Sequence, residues 1–251
     1  MECIMATYVV KSGDTLSRIA RDFGLTLAEL LDINPQITDE DLIFVGQQIA
    51  VPDGGTPPVE GPTEALPLTV LSRADWGANP NLPRLGAKVQ RDRRTKVYIH
   101  HTVITNPGPD PNVWNDLGEV RVAMRGLQRV RPDLGLDVPY SMVAFCMASG
   151  ELVLAEGRGI DRVGAHTAGQ NTPGIGIAFE GDFENHPAPP EIGAHLVTLG
   201  SWLHQLRADQ GFVNLGSGHP TGRDVFGHRD VKSTDCPGKA IFSRLELVRF
   251  L

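Results

Sequence analysis

Cysteine is scarce in this chain. Cys3, Cys146 and Cys236 are an odd number at irregular spacing, which argues against a disulfide framework and for reduced thiols. Positive charge is also short: 23 Lys and Arg stand against 30 Asp and Glu, a net charge of -7. That balance gives no electrostatic footprint for nucleic acid or an anionic membrane. The densest basic cluster, "RDRR" at 91–94, reads as solvated surface. No apolar run approaches the roughly 18 residues of a spanning helix, so no membrane insertion is expected. The N-terminus "MECIMATYVV" lacks the basic, apolar, small-residue order of a signal sequence, and the expectation is synthesis in the cytoplasm.

Proline and glycine, by contrast, are concentrated where they punctuate the chain. Residues 53–67, "DGGTPPVEGPTEALP", have no periodicity and read as a semi-extended linker between two domains, 7–52 and 68–251.

The first domain runs from "TYVV" through the turn "KSGD", where Ser12 and Asp14 suit a cap and Gly13 a positive backbone angle. Leu16, Ile19, Ala20 and Phe23 fall at helical spacing. Leu27, Leu30 and Leu31 start a second helix that "NPQ" ends, and "VGQQIAVP" closes as a strand. The result is a small β-α-α-β unit, near the lower size limit for folding without staples. On "YVVKSGDTLSRIARDFG", "INP" and "VGQQIAVP" it resembles the LysM family. That resemblance implies binding of N-acetylglucosamine-containing glycans, peptidoglycan or chitin, between two loops. Here the loops are Gly13, Asp14, Thr15 and Leu16 on one side and Asn34, Pro35, Gln36 and Ile37 on the other.

From Leu68 the pattern alternates between strands and helices. "KVYIHHT" is a strand, and residues 115–130 put Leu117, Val120, Met124 and Leu127 on one helix face. "YSMVAFCMASGELVLAEG" reads as two strands joined at "ASGE", and "GIGIAFEGDF" as a buried strand. Ile192, Leu196, Leu199, Leu203 and Leu206 predict a second helix, and Ile241, Leu245 and Val248 a third. The fold class is therefore α/β, a central mixed sheet with flanking helices.

"GHRDVKSTDCPG" places His228 and Cys236 on one short stretch. A catalytic zinc takes three protein ligands and keeps a fourth position open. An H-x7-C pair alone also arises by chance, so a third ligand from a rigid element is needed. "YIHHT" ends a strand with adjacent histidines whose side chains point to opposite faces, so one of the two can join. Cys146, inside the apolar "MVAFCMA", reads as core.

"LSRADWG", "VYIHHT", "VPYSMV", "GAHTAGQNTPGIGIAFEGDF" and "GHRDVKSTDCPG", in this order, resemble the zinc N-acetylmuramoyl-L-alanine amidases, which include peptidoglycan recognition proteins and phage lysozyme-like enzymes. The resemblance implies one Zn2+ per catalytic domain, held by His100, His228 and Cys236. It implies an oxyanion donor in Tyr140, and a helper in Thr234 where some relatives carry lysine. His166 and Asn171 would contact the peptide or muramic acid, and His101 would either be turned away or line the substrate groove. Glu180 is nominated as general base, although some relatives place their glutamate two residues earlier, where this chain has Ala178.

Together these readings predict a monomeric, endolysin-like peptidoglycan hydrolase that cuts between N-acetylmuramic acid and L-alanine with a zinc-activated water. It would be released to the bacterial cell wall by a holin-type partner. The alternatives are a non-catalytic recognition protein and a bacterial wall-remodelling amidase. Host and stem-peptide type have no local signature.

Overall fold

The computed structural model describes residues 5–10, 16, 19–20, 23, 25–39, 43–44, 46–52, 65–217 and 225–248. The chain divides into two compact units, Met1–Gly61 and Pro62–Leu251.

In the first unit, β1 (Met5–Val9) pairs antiparallel with β2 (Gln48–Pro52), placing Tyr8 opposite Ile49. Helix α1 (Leu27–Asp32) begins at a reciprocal cap. The Thr26 hydroxyl accepts from the Glu29 amide at 3.2 Å, and the Glu29 carboxylate accepts from the Thr26 amide at 2.8 Å. Leu16, Ile19 and Ala20 are helical and join Tyr8, Phe23, Leu30, Ile49 and Val51 in one apolar cluster.

The second unit holds a six-stranded mixed sheet in the order β3-β6-β5-β7-β4-β8. These are Leu68–Leu71 (β3), Lys96–His101 (β4), Met142–Cys146 (β5), Leu152–Glu156 (β6), Gly174–Phe179 (β7) and Val225–Gly227 (β8). β5 and β6 form the antiparallel hairpin expected around "ASGE". β4 runs parallel to both β7 and β8. β5 and β7 are buried at every position, as strands covered on both faces must be. On one face, α2 (Leu117–Leu127) presents Val120, Met124 and Leu127 to Val143, Phe145 and Val153. On the other, α3 (Ile192–Asp209) brings Leu196, Leu199 and Leu203 against Ile99, Ile175 and Ile177.

Two details differ from the sequence reading. The third predicted helix is a short α4 (Lys239–Phe242) followed by a separate 3-10 turn at Leu245–Leu247. Ile241, Leu245 and Val248 still reach the core, so the apolar spacing reported burial rather than a continuous helix. The edge strands β3 and β8, four and three residues long, are too short to carry a period-two signal.

Candidate metal centre

β4 and β8 set the geometry. Ile99 lies opposite Gly227, so the next residue of each chain segment, His100 and His228, emerges at the same carboxyl end of the parallel pair. His228 opens a 3-10 turn whose Asp230 carboxylate accepts from the Gly227 amide at 2.9 Å. The imidazoles of His100 and His228 have centroids 4.7 Å apart. Arg229 then folds the following loop back: its amide donates to the Cys236 carbonyl at 2.9 Å, and its guanidinium donates to the Asp235 carbonyl. This closes the H-x7-C segment and sets the Cys236 Sγ 3.5 Å from His100 Nδ1. Ligand atoms of His100, His228 and Cys236 all lie within 4.8 Å of one another.

His101 turns away from this cluster. Its Nδ1 accepts from the Phe183 amide at 3.2 Å, and its own amide faces the Cys236 sulfur at 3.4 Å. Strand alternation therefore separates the two adjacent histidines, although both line the cavity of about 500 Å³ above the cluster.

Electrostatics suit metal binding. Burial, followed by the neighbouring histidines His166 and His228, holds His100 well below the ordinary imidazole range. Burial also lowers His228, with Lys232 adding to the effect. Both are neutral, ligand-ready imidazoles at pH 7. Burial pushes the Cys236 thiol up to about 11, against the opposing pull of the His101 amide and Arg229. A metal must therefore displace its proton. The Cys146 thiol sits in the core, pushed upward by burial, as its apolar strand predicts.

Tyr140 lines the cavity with its ring 5.3 Å from that of His100. Burial, then Cys236 and Glu180, raises its phenol, so it stays a protonated donor. Its segment is anchored by Asp137, whose buried carboxylate accepts from Arg73 Nη1 at 2.8 Å and from the Leu85 and Val138 amides. Arg158 Nε donates to the Val138 carbonyl. This explains "LSRADWG": Arg73 braces the tyrosine loop, and Trp76 Nε1 donates to the Glu156 carbonyl at 2.8 Å.

Several nominated residues are placed otherwise. The Glu180 carboxyl is sealed at 1 % exposure, does not line the cavity, and has no hydrogen-bond partner of normal geometry. Burial raises it to about 8, moderated by the Thr102 hydroxyl, so near neutrality it is mainly protonated and cannot act as a ready base. Asn171 lies outside the cavity lining, and its Oδ1 accepts the His166 and Thr167 amides at 2.9 Å each, a loop-building role. His166 does line the cavity but is buried, with Nδ1 3.2 Å from His100 Nε2. Thr234 stands exposed at the rim and accepts from the Cys236 amide at 3.3 Å.

In the first unit, Leu16 is core, and Asn34 is fully buried with its side chain bonded to the Leu30 carbonyl and to both backbone groups of Ala50. Neither side chain is exposed. Pro35 and Gln36 are exposed and Ile37 is half-buried, while Gly13, Asp14 and Thr15 lie outside the described residues.

Sequence reasoning missed Arg94, Val103 and Thr167. Arg94, read as surface, has no exposed area and donates to the carbonyls of Asn171, Thr172 and Gly174. Val103 takes a positive φ of 63° while lining the cavity, a strained state for a β-branched residue of the kind that gathers at functional sites. Arg94 and Val103 had no sequence signal, because each depends on distant carbonyls: Val103 is held by its amide on the Gly181 carbonyl at 2.9 Å.

Comparison with known proteins places this geometry. Residues 8–52 match the LysM domain family. The chain is 32 % identical over 175 residues to an N-acetylmuramoyl-L-alanine amidase of Homo sapiens, covering 69 % of this chain and 27 % of that protein. It spans about a quarter of the length of that relative and of its mouse and pig namesakes. It is 31 % identical over 185 residues to peptidoglycan-recognition protein 1 of Holotrichia diomphalia, covering 71 % of this chain and 79 % of that one. Among solved structures, wild-type Drosophila PGRP-LB superposes with a TM-score of 0.54 at 27 % identity, over 71 % of this chain and 93 % of the other.

Proposed function

The chain belongs to the peptidoglycan-recognition protein family, and from that premise we propose that it is a zinc-dependent N-acetylmuramoyl-L-alanine amidase with a LysM glycan anchor. The observation that carries this reading is the convergence of His100, His228 and Cys236 on one side of an open cavity. Two neutral imidazoles and a thiolate are a donor set suited to zinc, and they leave the ion one net positive charge. A zinc ion held there supplies Lewis-acid polarisation of an amide carbonyl and acidifies a water.

The chain's own groups do the rest. Tyr140, kept protonated by burial, donates a hydrogen bond to the oxygen on which charge develops. Thr234 supplies a rim hydroxyl with no charge. Ile104, Leu127 and Val130 give the cavity an apolar wall that excludes water from one side of the bound stem peptide. His101, held by the Phe183 amide through Nδ1, is left with Nε2 to carry its proton beside the cavity. Glu180 takes no part as a base while protonated. Tethering to LysM residues 8–52 raises the local concentration of the catalytic unit on the wall.

Recognition without cleavage is the second reading, favoured by the enclosure of Glu180 and by an uncharged Thr234. His228→Ala and Cys236→Ser separate the two. On the amidase reading each abolishes release of amino groups from peptidoglycan, while the chain still sediments with walls. Undiminished release by Cys236→Ser removes the zinc mechanism. The endolysin setting is part of this proposal: synthesis in the cytoplasm, then release to the wall with a holin-type partner. It predicts that expression with a holin lyses cells and expression alone does not.

A further inference from the structure

The two ring nitrogens of His100 face different surroundings. Nδ1 points at the Cys236 sulfur. Nε2 points inward, 3.2 Å from the Thr167 hydroxyl and 3.2 Å from His166 Nδ1. Thr167 Oγ1 and His166 Nδ1 are themselves 3.0 Å apart.

We propose that Thr167, backed by His166, is a positioning residue for the metal site, holding the His100 ring so that Nδ1 is presented to the zinc. This rests on reading His100, His228 and Cys236 as the zinc ligands. It reassigns His166 from contact with substrate to support of the ligand.

Hydrogen-bond accounting supports the role. A neutral imidazole carries one N–H. For His100 to ligate through Nδ1, that hydrogen must sit on Nε2, and Thr167 Oγ1 accepts it. The hydroxyl then donates onward to His166 Nδ1, so Thr167 uses one acceptor and one donor, and His166 keeps its own proton on the buried Nε2, which has no hydrogen-bond partner among the described residues. With the opposite tautomer a proton would stand on Nδ1, facing the sulfur, and the ring could not ligate. Metal-bound histidines are commonly oriented through the other nitrogen in this way.

The surroundings leave this arrangement little room to move. Thr167 is completely buried. The His166 ring lies against two glycines: a Cβ at Gly176 would fall 2.4 Å from ring carbons Cγ and Cδ2, and one at Gly164 would fall 2.3 Å from Cδ2. No other residue type fits there without moving the imidazole. Asn171 pins the amides of both His166 and Thr167. Arg94 gathers three carbonyls from the end of the same loop, and its Nη2 donates to the Arg162 carbonyl at the loop's start. The residues that "GAHTAGQN" contributes thus build a brace behind His100.

The test measures zinc affinity by chelator competition on the full-length chain, alongside amine release from peptidoglycan. Thr167→Val keeps the shape and removes the acceptor. It is expected to weaken zinc binding by about 10- to 100-fold, and Thr167→Ser is expected to restore it. A cobalt-substituted Thr167→Val chain should show an altered visible absorption band, a signature that a packing role alone would not move. Unchanged zinc affinity in Thr167→Val, with the fold intact by tryptophan fluorescence, overturns the proposal. If the wild-type chain binds zinc without releasing amines, the amidase reading fails while the affinity series still decides the role of Thr167. A wild-type chain that binds no zinc overturns both.

Discussion

Sγ of Cys236 lies 3.5 Å from Nδ1 of His100, across 136 positions of sequence. The thiol is pushed up to about 11 by burial, while His100 and His228 are already neutral at pH 7. Zinc binding at pH 7 should therefore release about one proton, and affinity should rise about tenfold per pH unit below that value. Calorimetry in buffers of different ionisation heat counts the proton. A count of zero would remove Cys236 from the ligand set.

Glu180 predicts a pH dependence of stability in the opposite sense to most carboxylates. Its folded pKa, about 8, is raised above the ordinary 4.5 by burial, so the folded state binds more protons between those values. Its contribution is complete below about 4.5 and is lost as pH rises through 8. The upper bound on the slope is about 1.4 kcal/mol per pH unit. Urea denaturation of Glu180→Gln from pH 5 to 9 should show a flatter profile than the wild type and greater stability at pH 9. Parallel profiles would show that the carboxyl is solvated or already ionised.

Asp137 is a buried charge shared by Arg73 at 2.8 Å and Arg158 at 3.8 Å. Asp137→Ala strands both guanidinium groups and two backbone amides, and it should destabilise the second unit by roughly 3–5 kcal/mol. All three tryptophans, Trp76, Trp114 and Trp202, lie in that unit. Their fluorescence therefore follows its unfolding selectively. A loss below about 1 kcal/mol would mean that water replaces the carboxylate.

Asn34 supplies the matching prediction for the first unit. Its side chain joins the end of α1 to β2 through the Leu30 and Ala50 backbones. Asn34→Ala leaves those groups unsatisfied and should cost about 2–4 kcal/mol, a large share for so small a domain. Hydrogen exchange should accelerate in residues 27–52 while the tryptophan transition stays in place. Normal exchange with impaired glycan binding would instead return Asn34 to the ligand surface.

The central strands were legible because periodicity, turn residues and burial agreed along them, as in "KVYIHHT" and the hairpin around "ASGE". The candidate ligand pair His228 and Cys236 was legible because the two are close in sequence, and the strand pattern offered one of two adjacent histidines as a third; the choice of His100 over His101 came from the resemblance to the amidases. What escaped was anything defined by long-range hydrogen bonding. Arg94 looked like surface because "RDRR" is charged, and only the loop carbonyls it gathers explain its burial. Asn34 looked like a loop ligand because turn residues and binding residues share a composition. Glu180 had a plausible chemistry and the wrong exposure, which no local pattern encodes.

Metal-dependent amide hydrolysis is tested by counting amino groups and reducing ends released from purified peptidoglycan by the untreated, chelated and zinc-restored protein. New amino groups should appear with the untreated protein, disappear on chelation and return with zinc, with no gain in reducing ends. Release that survives complete chelation, or reducing ends in place of amines, would contradict it.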